Sequence, residues 1–401
     1  MGGTECAADP PCLAVGDVHR DFKAETHFGV GRRGPFHVSS PKNLRERVET
    51  DTVTVGYPPT LEASCMPRDF MPPSITDFNA VSCRIGVGDG HRLRVICAGN
   101  PAGMPVLVMH GGPGSGLRIN PALFDFACQR VIWVDQRGCG RSTPRGSLRR
   151  NRTEQLLRDF ETVRKQLGIR RWVVYGGSWG APLALAYAAC FPTCVAALLL
   201  RGMHLTTRSE TRRFFIGSRP CAAVPWHVLN CAAGGGRLNS LFQRCNDVLL
   251  NGTVMEQYAV ARAWNAYEAR LLRHRQRIQQ RSDVREVRAM VDKYRIQAHY
   301  LTHNCWLGTS RLHQFATLLR AAACPVVAIH GRRDPVCPTR NVATLQGWLP
   351  GLQLQMVDAG HLDNEPSMLR ALRAALARLC ALPDGSAVML GAAPSTLSPR
   401  T

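Results

Sequence analysis

Six short apolar runs, each bounded by glycines or turn residues, punctuate the chain: Val106–Met109, Val131–Val134, Trp172–Tyr175, Ala196–Leu200, Val326–Ile329 and Leu352–Val357. Runs of this length, apolar at every position, suit strands covered on both faces, which is the condition of a parallel sheet. A sheet with one wet face would alternate apolar and polar residues instead. Between the runs lie helix-length segments, Thr153–Leu167, Ala181–Cys190, Asn341–Trp348 and Ser367–Leu382. Strands alternating with helices predict a parallel sheet with helices on both sides, an α/β fold. Upstream, Phe78–Val87 and Leu93–Cys97 flank Gly88-Asp89-Gly90 and read as a hairpin.

One stretch breaks this alternation. Residues 204–320 hold no apolar strand run and read as helical, an insertion between two halves of the sheet. Residues 1–75 show no sustained period and carry Pro10-Pro11, Pro58-Pro59 and Pro72-Pro73, so they read as an irregular extension. The expected division is therefore an extension over 1–75, a core over 76–203, a helical cap over 204–320, a second core part over 321–385 and a tail over 386–401.

Charge is the loudest property of the 401 residues: 50 Lys and Arg against 29 Asp and Glu, a formal +21. Between Arg208 and Arg295 there are fifteen Arg and one Lys against seven acids, a net +9 on the cap alone. Arginines spread along helices in this way read as a solvated face, and no nucleic-acid-binding signature accompanies them, so no nucleic-acid partner is expected. No run of 18 apolar residues exists, which excludes a membrane-spanning helix. The sixteen cysteines are scattered, without C-x-x-C or zinc-finger spacing, and no basic-then-apolar leader precedes them. The expectation is a reducing, cytoplasmic location and no metal site.

The chemistry is carried by Tyr175-Gly-Gly-Ser178-Trp-Gly180, which closes one apolar run and opens a helix segment. Gly-x-Ser-x-Gly in that context is a nucleophile elbow, in which flanking glycines let backbones cross while the serine is lifted above the sheet. Serine needs a base, and the base an orienting acid. Asp334 follows the run Val326–Ile329 and His361 follows Leu352–Val357, giving the order Ser178, Asp334, His361, each just past a strand. Two backbone N–H groups must hold the developing oxyanion. One is expected from Trp179, and the other from His110-Gly-Gly-Pro-Gly114, with Gly112 as first choice and Gly111 as its rival. Cys337, close to Asp334, is expected to confer sensitivity to thiol reagents without acting as nucleophile.

His110-Gly-Gly-Pro-Gly114, Asp135-Gln-Arg-Gly-Cys-Gly-Arg-Ser142, Gly176-Gly-Ser-Trp-Gly180, Leu200-Arg-Gly202 and Gly331-Arg-Arg-Asp-Pro-Val-Cys-Pro338 together resemble the prolyl aminopeptidases, or proline iminopeptidases, of the α/β-hydrolase superfamily. The resemblance covers about residues 80–380. It implies a doubly wound, mostly parallel sheet with an inserted helical cap, and a serine exopeptidase that releases N-terminal proline from peptide substrates without a cofactor. It also implies cap acids that read the substrate's free amine. Those positions are Trp264-Asn-Ala-Tyr267-Glu268, which keeps its acid, and Arg295-Ile-Gln297-Ala-His-Tyr300, where Gln297 stands in place of one. Trp264, Tyr267, Glu268, Gln297 and Tyr300 are thus the expected substrate-binding residues. Loss of one charge-assisted bond weakens binding by about 1–3 kcal/mol, so Gln297 bears directly on proline specificity. Other readings of the same residues are an esterase, amidase or lactonase on this scaffold, and a basic binding protein with a silent triad.

Overall fold

In the computed structural model the Gly88-Asp89-Gly90 turn closes an antiparallel pair, β1 (Val81–Gly86) and β2 (Arg92–Gly99), with Ser82 opposite Ile96. The structure describes residues 78–272 and 283–382, so the expected extension over 1–75 and tail over 386–401 lie outside the described residues. Each apolar run is a strand: β3 (Met104–Met109), β4 (Gln129–Val134), β5 (Trp172–Gly177), β6 (Val195–Arg201), β7 (Val326–Gly331) and β8 (Gln353–Val357). The sheet order is β1-β2-β4-β3-β5-β6-β7-β8, antiparallel where β2 meets β1 and β4, and parallel from β4 onward.

Strand residues alternate between two cores. Leu107 and Met109, Trp172 and Val174, Leu198 and Leu200 face one, whereas Val106 and Val108, Val173 and Tyr175, Ala197 and Leu199 face the other. The apolar runs need no polar positions because both faces are covered. On the first face lie α1 (Thr153–Gln166) and α2 (Gly180–Cys190). In α2 every residue from Gly180 to Ala189 is buried, and Leu183 and Leu185 alone contribute about 2 kcal/mol each by burial.

Between β6 and β7 the chain runs through α3 (Arg208–Arg212), α4 (Ala223–Ala232), α5 (Leu241–Asn251), α6 (Val254–Leu271), α7 (Val284–Thr302) and α8 (Gly308–Ala321). Thr253 and Glu256 form a reciprocal capping box at the start of α6, and Asp283 caps α7, satisfying N–H groups that a helix start leaves unpaired. Helices α4 to α7 enclose their own core, with Trp226, Leu241, Val260, Trp264 and Tyr294 at its centre. Arg212, Arg262, Arg285 and Arg288 are exposed on its surface.

This separate core stops at Ala298. Leu312, Ala316 and Leu319 of α8 instead join the core beneath the sheet, where the helix covers α2. By packing, then, α8 lies with the sheet rather than with the core of α4 to α7. The cause is α8's apolar stripe, which meets the buried outer side of α2. The last helices, α9 (Thr339–Trp348) and α10 (Pro366–Cys380), flank the sheet on opposite faces.

The order β4-β3-β5 places a topological switch between β3 and β5, since the chain leaves β3 for one neighbour and later returns on the other side. Loops diverge at the C-terminal ends of such strands and leave a crevice. Met109 pairs with Gly176, so the glycine-rich loop after β3 and the serine turn after β5 emerge side by side.

Candidate active site

Ser178 sits at that crevice with φ +57°, in the left-handed region that β-carbon-bearing residues avoid. Its N–H donates to Arg201 O at 2.8 Å, and its carbonyl accepts from Ala181 N at 2.9 Å, so strand and helix hold the turn from both sides. A Cβ at Gly176 would overlap Gly180 O, and one at Gly180 would overlap Met109 O. Glycine at both positions is what lets β3, β5 and α2 meet at this point.

The loops after β7 and β8 cross just as closely, for a Cβ at Gly331 would overlap Gly360 O. That crossing brings Asp334 to His361, with Oδ2 and Nδ1 2.7 Å apart. Asp334 Oδ1 accepts from the N–H groups of Val336 at 2.9 Å and Cys337 at 2.8 Å. Burial pushes the Asp334 carboxyl up, but the His361 charge and hydrogen bond, with the Cys337 N–H, outweigh it and bring it to about 2. An ionised carboxylate only accepts, so Nδ1 of His361 carries the proton and Nε2 is left as the ring's acceptor. Glu365 accepts from Gly360 N at 2.7 Å and from Leu362 N at 3.1 Å, clasping the backbone on both sides of His361. The buried Arg201 guanidinium donates to His361 O.

In the loop after β3, Gly111 lies against the serine: its Cβ would sit 3.3 Å from Ser178 Cβ and 3.9 Å from Oγ. Gly112, with φ +123°, faces Ser115 and Gly114 instead. The conformation of Gly112 is one that favours glycine. His110 is buried and kept neutral by that burial, its pKa lowered. Its Nε2 accepts from Gln136 N at 3.1 Å and its Nδ1 lies 2.8 Å from Gly111 O, so Nδ1 is the donor. Gln136 also donates to His110 O at 2.9 Å and accepts from Trp179 Nε1 at 3.0 Å. A single glutamine thus ties the loop carrying Gly111 and Gly112 to the residue following Ser178.

Ser178, His361, Gly111, Gly112, Glu268 and Gln297 all line one cavity of about 250 Å³. That volume suits a small residue rather than a long side chain. Of the five expected substrate-binding residues, Glu268 and Gln297 reach it, 29 positions apart and bonded Gln297 Nε2 to Glu268 Oε1 at 2.7 Å. Trp264, Tyr267 and Tyr300 do not. Trp264 and Tyr267 are fully buried in the core of the insertion, the Tyr267 hydroxyl donating to Phe214 O at 2.6 Å. Tyr300 packs edge-on against Trp179 and donates to Asn151 Oδ1 at 2.8 Å. Their aromatic spacing on α6 and α7 is the inward stripe of a helix pair.

Sequence reasoning assigned no role to Gln136, Arg201, Glu365 or Lys293. Gln136 and Arg201 lie inside quoted motifs, and Lys293 is the lone lysine among the insertion's arginines, which is a signal; Glu365 carries none. Cys337 is buried, and burial pushes its thiol well above the usual range, so it has no thiolate character. Asp334, Cys337 and His361 each bring one ligand atom within 4.8 Å of the others. A metal ion could use that set only by displacing the Asp334–His361 hydrogen bond.

Residues 104–366 match the alpha/beta hydrolase fold family. Among curated proteins, the proline iminopeptidase of Xanthomonas citri is 36% identical over 309 residues, 75% of this chain and 96% of that protein. The proline iminopeptidase of Arabidopsis thaliana is 33% identical over 306 residues, 75% of this chain and 80% of that one. That of Neisseria meningitidis serogroup A is 32% identical over 294 residues, 71% of this chain and 92% of that one. With its two-sided mostly parallel sheet, and with likeness over nearly the whole length of such relatives, this chain belongs to the proline iminopeptidase family of α/β hydrolases.

Proposed function

We propose that the chain is a serine exopeptidase that releases N-terminal proline from peptides through an acyl-enzyme. The observation that carries this reading is Ser178, held at φ +57° on the wall of a cavity that also contains His361 hydrogen-bonded to Asp334. His361 Nε2 takes the hydroxyl proton as Ser178 Oγ attacks the carbonyl of the first residue. Asp334 holds the imidazole tautomer and stabilises the imidazolium. The oxyanion is received by the Trp179 N–H and an N–H of the Gly111-Gly112 pair, at the positive end of α2. His361 then protonates the departing amine, and water hydrolyses the acyl-enzyme by the same route. Glu268 and Gln297 form the end of the cavity that meets the substrate's amine. The cavity's size favours a compact first residue such as proline. No disulfide joins the described cysteines, which supports a reducing compartment, the cytoplasm.

Turnover of a proline arylamide by the wild type, abolished in Ser178→Ala, is the expected result. Hydrolysis of simple esters with no proline-arylamide turnover would assign the site to an esterase instead.

A further inference from the structure

The acid placed to meet a substrate's ammonium already has a cation. Glu268 Oε2 lies 3.0 Å from Lys293 Nζ and accepts from the Tyr294 hydroxyl at 2.8 Å, while Oε1 accepts from Gln297 Nε2. The side chains of Lys293 and Glu268 are only 24% and 17% exposed, so water and salt screen this pair less than a surface one. Gln297 must turn its Nε2 toward the carboxylate, because Oε1 there would oppose two acceptors. Its Oε1 is consequently left buried, with no hydrogen-bond partner among the described residues. Arg118, His204, Glu210 and Asp363 also line the cavity. The Glu210 carboxylate is engaged by Leu205 N at 3.1 Å, Thr207 N at 3.0 Å and Asn341 Nδ2 at 2.5 Å.

We propose that Lys293 is a specificity-determining residue: its ammonium neutralises Glu268, so the amine end of the cavity presents no free carboxylate to a substrate's ammonium. This rests on the exopeptidase reading and adds which N-termini the site accepts. An incoming ammonium is a second cation on a carboxylate already paired and bonded by three donors. Discrimination between a charged proline ring and an uncharged ring of the same shape is therefore weak in this protein. The substrate class widens to acyl groups with a compact ring or short side chain and no positive charge.

The test compares kcat/KM for a proline arylamide and a cyclopentanecarboxylic arylamide, which has the same shape without the amine. Lys293→Met keeps the apolar stem over the Tyr294 ring, where Nζ now sits 4.3 Å from the centroid. It should raise the proline-to-cyclopentane ratio about tenfold, the fold-change to which the free-energy difference between a charge-assisted and a neutral bond amounts. Lys293→Gln, which removes the charge but can still bond Glu268, should move the ratio the same way. Adding Glu268→Gln to either variant should abolish the gain. An unchanged or lower ratio in both folded single variants overturns the proposal, as it would if Asp363 read the amine. Turnover of neither probe by the wild type defeats the exopeptidase reading, and this inference with it.

Discussion

Replacing Ser178 by alanine and by glycine separates its chemical role from its backbone cost. Both variants lack Oγ, so kcat for proline arylamide should fall by about 10⁶ in each if Ser178 is the nucleophile. Stability should distinguish them. At an ordinary position glycine is less stable than alanine by about 0.5–1 kcal/mol, because it loses more freedom on folding. At φ +57° a Cβ costs about 1–2 kcal/mol, which alanine retains and glycine removes. The net expectation inverts the usual order, with Ser178→Gly more stable than Ser178→Ala by about 0.5–1 kcal/mol. A calibration lies within the same chain: Gly168 has φ +65°, and a Cβ there would meet nothing within 4 Å. Gly168→Ala should therefore report the φ cost alone, about 1 kcal/mol net of the entropy gained. Thermal or urea melts of the three variants read these differences directly, about 2–4 °C per kcal/mol for a domain of this class. Ser178→Ala melting above Ser178→Gly would refute the strain argument, whatever happened to activity.

The fold was legible because burial on both faces of the sheet erases polar positions from the strands. Each apolar run became a strand within a few residues, and the Gly88-Asp89-Gly90 turn became the hairpin turn. The packing of the insertion was less legible. Among the described residues the chain between β6 and β7 runs through helices α3 to α8, and helical spacing does not say which core a stripe will join. Leu312, Ala316 and Leu319 look like any amphipathic stripe until α2 is placed beneath them.

At the site, the meeting of Asp334 with His361 beside the cavity that Ser178 lines was legible because each of the three lies just past a strand, and strand ends are fixed by the sheet. Substrate contacts were harder to read, because α6 and α7 turn one face to the cavity and another to their own core. Glu268 lies four positions after Trp264, and Gln297 three before Tyr300, yet each pair divides between cavity and interior. Motif membership does not resolve the roughly 40° and 60° offsets that four and three positions leave around a helix. The neutralising contact of Lys293 was less accessible still, since it depends on how α6 and α7 pair. Lys293 and Glu268 are 25 residues apart across a connection.

The remaining expectations concern support of the site. Gln136→Ala leaves the Trp179 indole and the His110 carbonyl without their partner; it should lower kcat/KM for proline arylamide by the equivalent of about 1–3 kcal/mol, and a change of less than twofold would detach Gln136 from catalysis. Arg137 holds Asp159 through bonds of 2.6 and 2.8 Å, both groups nearly inaccessible. Arg137→Leu strands that carboxylate and should destabilise by about 3–5 kcal/mol in urea melts, with much of the loss recovered when Asp159→Leu is added. Asp334→Asn should cut kcat by about 10⁴, because the amide no longer enforces the Nδ1–H tautomer of His361. The same substitution tests the electrostatics. Asp334 falls from the usual 3.8 to about 2 in the folded protein, so its ionised form is favoured by folding. A depressed carboxyl contributes stability that is fully present above pH 3.8 and lost as pH falls through 2, about 2 kcal/mol in all. Wild type minus Asp334→Asn, followed by melts between pH 2 and 5, should therefore shrink toward acid by that amount. A difference that stays flat across this window would mean that the His361 contact and the Cys337 N–H do not offset the carboxylate's burial.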